Sequence, residues 1–375
     1  MILDDITRAV LSRDEITRYL QGTHGGTGSD KRERIHGYLD ELRTTQRYSI
    51  YRTLKHPLYP ILRKISRVAE NLHIAKAATR AGRVIYASNH RSHTDYLVEP
   101  LMLDENGIRP PIIAAGINLF GGPLGLIHRH VTGAIPIRRD TRDPAYLVTL
   151  KAYVAEILRE HDLFFYPEGG RSYSGEIKHP KTGLFHAAMQ AGQPGTVVIP
   201  TAVAYDLVLE DQILARQGVK RTQRPFSREL AEMVRCAVGY RSRAIVTFGT
   251  PIALDDVDSG SRRSVLDLAH QTMREIGRVV KVLPTALVAT TLRRSSTRKD
   301  LEDRVSALID TLRAQGANLD VSSGPEAVDA AAEPLEARGI IVVEHDRFRV
   351  RHRNVLRYYA RSIDHLLASP STRTH

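Results

Sequence analysis

The chain of 375 residues contains no tryptophan, seven phenylalanines and one cysteine. Without tryptophan and with few phenylalanines, it is poorly equipped to stack nucleic-acid bases on an aromatic platform. A single cysteine, Cys236, excludes an internal disulfide and suits a reducing cytoplasm. No glycine elbow flanks it, so it reads as a core residue rather than a nucleophile. No uninterrupted apolar run approaches the roughly 18 residues of a membrane-spanning helix. Residues 1–5 carry acids where a signal peptide needs a basic stretch. The expectation is a cytoplasmic protein, soluble or peripheral on the inner face of the cell membrane. Acid is also in deficit, with 42 Asp and Glu against 54 Lys and Arg, a net charge of +12. That balance favours anionic partners: nucleic acid, acidic lipid headgroups, or phosphorylated substrates and coenzymes.

What is present is a sizeable core, since 42% of residues are hydrophobic, on a chain long enough for two or three domains at ~100–200 residues each. Residues 1–80 read as helical. A glycine-rich linker at 22–28 precedes a helix that Asp30 can cap, with Glu33 completing a capping-box pattern. Ile35, Leu39, Leu42, Ile50 and Leu54 follow at helical spacing, and Ile61, Leu62, Ile65, Val68, Ala69 and Leu72 resume it after Pro57. From about residue 81 the pattern changes. Short apolar runs at 84–88, 112–115, 134–137, 163–166, 197–203 and 244–248 alternate with amphipathic stretches near 94–103, 145–160 and 183–191. Continuous rather than alternating apolarity suits strands buried on both faces. The fold class expected is α/β, with a central mostly parallel sheet flanked by helices over 81–255. An N-terminal helical region (1–80) and a C-terminal, mostly helical extension (256–375) flank it. In the extension, helices precede a hairpin that turns at His345 and Asp346. That order suggests a winged helix and with it a nucleic-acid-binding alternative. Against this, neither preceding helix concentrates base on one face, as a recognition helix should.

Two strand-to-loop transitions carry reactive groups, and open α/β sheets put their sites at such strand ends. After 84–88 come His90, Arg91, Ser92, His93, Thr94 and Asp95. A neutral imidazole at His90 can take a proton from a hydroxyl while the Asp95 carboxylate fixes its tautomer and stabilises the imidazolium. Positions five apart on a continuous helix point ~140° away from each other, so His90 must precede the helix, with Ser92 as its cap. A Ser-x-x-Asp capping box explains the same residues without catalysis. A metal site is the rival, but the order matches neither His-Glu-x-x-His nor His-x-His-x-Asp. After 163–166 come Glu168, Gly169, Gly170, Arg171 and Ser172, where glycines let backbone N–H groups approach an anion and Arg171 offers a fork to phosphate oxygens. Lys178, His179 and Lys181 follow. A third block, 133–139, is a buried strand ending in Arg138 and Arg139. These two arginines, with Arg171 and Lys181, are candidates to hold a phosphate. Each block also has a plain reading as a solvated turn or strand end. The stretch 114–127 is apolar, glycine-rich and unlike a regular helix. It suits an acyl channel, a bilayer contact or a buried loop.

Together these blocks resemble the glycerolipid acyltransferase superfamily, and specifically its glycerol-3-phosphate acyltransferases. HRSHTDYL (90–97) is similar to the family's histidine-x4-aspartate block, GAIPIRR (133–139) to the second and FFYPEGGRSYSG (164–175) to the third. The apolar, proline-containing 198–206 is similar to the fourth. Pro136 stands where an aromatic is usual, and Tyr173 where a second arginine often stands. RNVLRYY (353–359) resembles the C-terminal segment of the large bacterial enzymes. The resemblance implies transfer of an acyl chain from acyl-CoA or acyl carrier protein to the sn-1 hydroxyl of glycerol 3-phosphate, with lysophosphatidate or dihydroxyacetone phosphate as other acceptors. His90 and Asp95 would be catalytic. Arg138, Arg139, Glu168, Gly169, Gly170, Arg171, Ser172 and Lys181 would bind substrate. Neither cofactor nor metal is expected, because the thioester is already activated and the hydroxyl only has to be deprotonated and positioned.

Overall fold

The computed structural model describes residues 3–22, 27–58, 60–138, 141–191, 193–220 and 241–367. Cys236, Arg139 and residues 23–26 of the glycine-rich stretch lie outside them. The N-terminal segment forms α1 (Leu3–Leu11), α2 (Asp14–Gln21), α3 (Gly28–Leu42) and α4 (Tyr48–Leu58). The cap of α3 falls one turn earlier than the sequence suggests. Thr27 is the N-cap and Asp30 its reciprocal partner, so Asp30 serves as the acid of the capping box and Glu33 has no part in it. A larger departure follows at 65–70. This stretch is not helix but strand β1 (Ile65–Glu70), pairing in parallel with β7 (Ser242–Phe248) along its whole length. Ladder pairing with a distant strand outweighs a local helical spacing of apolar residues.

The remaining elements alternate: α5 (Leu72–Ala81), β2 (Val84–Ser88), α6 (Asp95–Glu105), β3 (Ile112–Gly116), α7 (Gly122–His130), β4 (Ala134–Ile137), α8 (Pro144–Glu160), β5 (Leu163–Phe165), α9 (Gly183–Met189), β6 (Val197–Tyr205), α10 (Asp211–Lys220), β7 and β8 (Ile252–Ala253). The sheet runs β1-β7-β6-β2-β5-β3-β4, with β8 on β6. All neighbours are parallel except β6–β7 and β6–β8. Every residue of β2 and β3 is buried, as two-sided coverage requires. Val84 and Tyr86 face one core with the C-terminal helices. Ile85 and Ala87 face the other, formed with α1–α3, α8 and α9.

The C-terminal part comprises α11 (Arg262–Val279), α12 (Pro284–Thr291), β9 (Ser295–Thr297), α13 (Arg298–Ala314), α14 (Gly324–Ala337), β10 (Ile341–Glu344), β11 (Arg347–Val350) and α15 (Arg353–Ala360). β10 and β11 turn at His345 and Asp346, both at positive φ, and β9 adds to β11. Helix, strand, two helices and hairpin is a winged-helix order. The helix that would enter a groove, α14, contains no lysine or arginine and exposes Glu326, Asp329, Glu333 and Glu336. A phosphate backbone is repelled by such a face. The inner face of α14 (Ala327, Val328, Ala331, Leu335) joins the core that reaches Tyr86 and Phe164 of the sheet.

Candidate active site

The parallel strands β2 and β5 end side by side, and their next residues form one buried cluster. Asn89 stops β2 by using its side chain as a further ladder rung on β6. Its Nδ2 donates to Val203 O (3.0 Å) and its Oδ1 accepts from Val203 N (2.7 Å). The chain then leaves the sheet at His90, whose Nδ1 lies 2.9 Å from Asp95 Oδ2. The sequence places Ser92 as helix cap and Asp95 in the third helical position. The structure starts α6 at Asp95 itself. Ser92 Oγ accepts from Thr94 N (3.1 Å) in the turn before the helix, and its hydroxyl donates to the buried Glu210 (2.8 Å). Asp95 takes over the loop: Oδ2 also accepts from the backbone N–H of Arg91 (2.7 Å) and Ser92 (2.9 Å), and Oδ1 from the Tyr205 hydroxyl (2.7 Å).

Burial pushes the Asp95 carboxyl up to about 6, against the opposing hydrogen bonds from Ser92, Tyr205 and Arg91. One turn along α6 lies Glu99, also buried. It accepts from the Ser88 hydroxyl (2.6 Å) and the Tyr166 hydroxyl (3.1 Å). With neutral partners only, burial raises its carboxyl well above the usual range, and the nearby Asp95 charge adds to the rise. Of the two buried acids, Asp95 is the one whose negative charge the loop's N–H donors favour, and Glu99 is pushed further toward its protonated form. The Tyr166 ring lies flat against that of His90, with centroids 4.0 Å apart and planes 14° apart.

The third block closes over this loop. Glu168 braces it: Oε1 accepts from His90 N (3.0 Å) and Oε2 from Lys178 N (3.1 Å). Burial raises its carboxyl, against the lowering influence of Arg91. Ser172 donates its backbone N–H to His90 O (3.0 Å) and its hydroxyl to Glu176 O (2.7 Å). Gly169 sits at φ +70°, and a Cβ there would come within 3.0 Å of the Lys181 side chain. Gly170 is half-buried beside it and Lys181 is exposed. Arg171, nearly buried, pairs with Glu210 at 3.4 Å and lies over the Tyr173 ring. So the sequence-selected His90, Asp95, Glu168, Gly169, Gly170, Arg171, Ser172 and Lys181 share one site. Glu168 and Ser172 spend their polar groups on its frame.

Arg138 is elsewhere. β4 lies three strands from β2 in the sheet, about 14 Å at ~4.8 Å per strand. Its guanidinium donates to both carboxylate oxygens of Glu41 on α3 and lies over the rings of Tyr38 and Tyr146. The stretch 114–127 is more regular than its composition suggests. Gly122–His130 is helical, and Gly125 lets that helix pass Phe120 O, which a Cβ would meet at 2.0 Å. Leu119 is buried, whereas Ile117 and Leu126 are exposed. Sequence reasoning missed Glu99, Tyr166, Tyr205 and Glu210. Glu99 had a signal: a lone acid on a helix whose neighbours, Leu97, Val98, Pro100 and Leu101, are apolar. Among the described residues, no group of three or more His, Cys, Asp or Glu side chains could hold a metal ion.

Residues 69–204 match the acyltransferase family model, and residues 233–373 match that of the glycerol-3-phosphate acyltransferase C-terminal region. The chain thus carries an acyltransferase region and a glycerol-3-phosphate acyltransferase C-terminal region, each matched over a little more than a third of its length. Relatives with that name include one from Actinobacillus succinogenes, 28% identical over 388 residues covering 92% of this chain and 47% of that protein. Another is from Pasteurella multocida, 29% identical over 334 residues, 80% of this chain and 41% of that one. A third, from Aeromonas hydrophila, is 28% identical over 380 residues, 90% of this chain and 46% of that one. This chain thus spans less than half the length of these relatives. Among solved structures, the 1-acyl-sn-glycerophosphate (LPA) acyltransferase PlsC of Thermotoga maritima matches with 15% identity and a TM-score of 0.33, over 56% of this chain and 70% of that one.

Proposed function

We propose that this protein transfers an acyl chain from a thioester, acyl-CoA or acyl carrier protein, to the sn-1 hydroxyl of glycerol 3-phosphate, giving lysophosphatidate. The observation that carries the reading is the 2.9 Å contact between His90 Nδ1 and a buried Asp95 that accepts three further hydrogen bonds. With Asp95 ionised, Nδ1 holds the proton and Nε2 is the basic nitrogen. Nε2 takes the proton of the acceptor hydroxyl as its oxygen attacks the thioester carbonyl. The C–S bond then breaks, and the departing sulfur receives that proton from the imidazolium. Neither an acyl-enzyme nor a metal is required. Arg171 and Lys181, beside glycines 169 and 170, supply the cations for the acceptor phosphate. Arg171 reaches it by sharing its guanidinium with Glu210.

The enzyme is proposed to work on an anionic membrane surface on the cytoplasmic side. Supporting this are the net charge of +12 and the exposed Ile117 and Leu126 between two site blocks. Among the described residues, no helix is long and apolar enough to cross a membrane. Purified protein with labelled glycerol 3-phosphate and either donor should form lysophosphatidate. Product with lysophosphatidate or dihydroxyacetone phosphate as acceptor, but not with glycerol 3-phosphate, would replace this reading with one of its alternatives. Flotation with anionic vesicles should weaken with salt and with Leu126→Asp. Binding to duplex DNA without flotation would remove the membrane assignment.

A further inference from the structure

Most arginines that join elements of this protein are neutralised. Arg52 pairs with Asp104, Arg67 with Glu105, Arg109 with Asp162, Arg138 with Glu41, Arg243 with Asp320, and Arg338 with Asp211. Two surface depressions follow the same habit. The one holding Arg241 and Arg243 also holds Asp206, Asp320 and Glu326, and the one holding Arg278 also holds Glu70. A third differs. Between α10 and the start of α15, a space of about 280 Å³ is lined by Arg216, Arg351 and Arg353 together with His352, Asn354 and Gln212. All three arginines are exposed, and no carboxylate lines the space among the described residues. Like charges gathered without counter-charge repel one another and raise the local potential for an anion. Three guanidinium forks with two amides and an imidazole suit phosphate oxygens in particular.

The position relates this space to the dyad. Arg353 opens α15, and Tyr358 lies five residues on, ~7–8 Å along the axis at 1.5 Å per residue. The Tyr358 hydroxyl donates to Arg91 O (3.3 Å), in the loop between His90 and Asp95. Tyr359 locks the two walls together. Its hydroxyl donates to Asp211 at the start of α10 (2.7 Å) and accepts from Val208 N (3.0 Å). The three arginines are therefore held on the same frame as the catalytic loop, a short way outside it. A flexible pantetheine arm could span that gap. No large apolar side chain is exposed among the residues lining this depression, so it lacks the anchor a bilayer contact would use.

We infer that Arg216, Arg351 and Arg353 form the anion site that receives the phosphate-bearing end of the acyl-thioester donor. The inference rests on the acyl-transfer reading above. Both donors share this chemistry, because the pantetheine arm carries a phosphate in each. Coenzyme A adds its nucleotide phosphates and a carrier protein its own surface.

The test is the full-length Arg216→Glu/Arg351→Glu/Arg353→Glu variant, with Arg216→Ala/Arg353→Ala as a milder form should the first fail to fold. The KM for palmitoyl-CoA or palmitoyl carrier protein should rise roughly tenfold or more, the scale of losing a charge-assisted hydrogen bond. The KM for glycerol 3-phosphate and for palmitoyl-pantetheine, which lacks phosphate, should stay within about twofold. A rise confined to CoA identifies the nucleotide phosphates as the ligand, and one confined to the carrier identifies the carrier's end. Unchanged KM for both phosphorylated donors, or an equal rise with palmitoyl-pantetheine, overturns the site. Calorimetric titration with coenzyme A gives a readout without turnover. If the wild-type protein binds CoA and the variant does not, but no acyl transfer occurs, the acyl-transfer reading fails and the anion site stands. If both bind CoA equally and the KM for palmitoyl carrier protein is also unchanged, the site fails.

Discussion

Two strand ends of one sheet look alike in sequence and behave differently in the fold. After β2 come His90 and Arg91, and after β4 comes Arg138. In both cases an apolar run stops at polar, cationic residues. At the β2 end the polar groups turn inward. Asp95, Glu99, Glu168 and Glu210 are all buried around the loop, and each is used by a neighbour's N–H or O–H. At the β4 end the cation turns outward onto Glu41 and two tyrosine rings, with 40% of the Arg138 side chain exposed. The first arrangement holds an imidazole against a buried carboxylate. The second fastens α3 to the sheet. What separates them is the element each loop meets: the turn before α10 brings Glu210 to one, and α3 brings Glu41 to the other.

The comparison breaks most decisively at His90. His90→Ala should lower kcat about 10²–10⁴-fold, the typical worth of a general base, with unfolding behaviour unchanged. Near-normal turnover in the folded variant would show that the β2 end is structural like the β4 end. Next in size is Arg171. Arg171→Ala should raise the KM for glycerol 3-phosphate about ten- to hundredfold, from the loss of a charged hydrogen bond of roughly 1.5–3 kcal/mol. It should also lower Tm, because Glu210 loses its cationic partner. Arg171→Lys keeps the charge without the fork and should fall between. Equal KM increases for acceptor and donor would instead point to a general loss of site shape.

The buried acids sharpen the comparison through pH. Asp95 is raised from an ordinary 3.8 to about 6, and Glu99 is raised well above its ordinary 4.5. A raised acid favours the fold while protonated. Its contribution is full below the unfolded value and is lost as pH rises through the folded one. Wild-type stability, read as a denaturant midpoint, should therefore fall between about pH 4 and 6 from Asp95 and continue falling above that from Glu99. Glu99→Gln should flatten the higher-pH part while keeping kcat, since the amide also accepts from Tyr166. A Glu99→Gln curve parallel to wild type would mean that Glu99 is ionised throughout. For activity, kcat/KM should decline below about pH 6 as the dyad takes up a proton, an apparent value that belongs to the pair. An acid limb near 4 would place Asp95 at its ordinary value. The smallest effect expected is that of Arg138→Ala: a stability loss of about 0–1 kcal/mol, as for other partly exposed ion pairs, and no change in the KM for glycerol 3-phosphate. A tenfold rise in that KM would return the β4 end to the site.

The sequence by itself determined the strands that are buried on both faces, because continuous apolarity at 84–88, 112–115 and 134–137 has no other stable place in an α/β fold. It also put His90 and Asp95 on one loop after a strand, whereas it is the strand order, with β5 beside β2, that brings Arg171 to them. Tertiary structure alone decided the rest. The spacing of apolar residues at 61–72 is helical, yet β7 draws 65–70 into the sheet, since backbone pairing depends on a partner far along the chain. Ser92 is a good cap by type and its Oγ accepts from Thr94 N, but the regular helix starts only at Asp95, and what receives the Ser92 hydroxyl proton is Glu210, far along the chain. The state of Glu99 and the fate of Arg138 depend on what is packed against them, because a charge's energy is set by its surroundings and not by its neighbours in sequence.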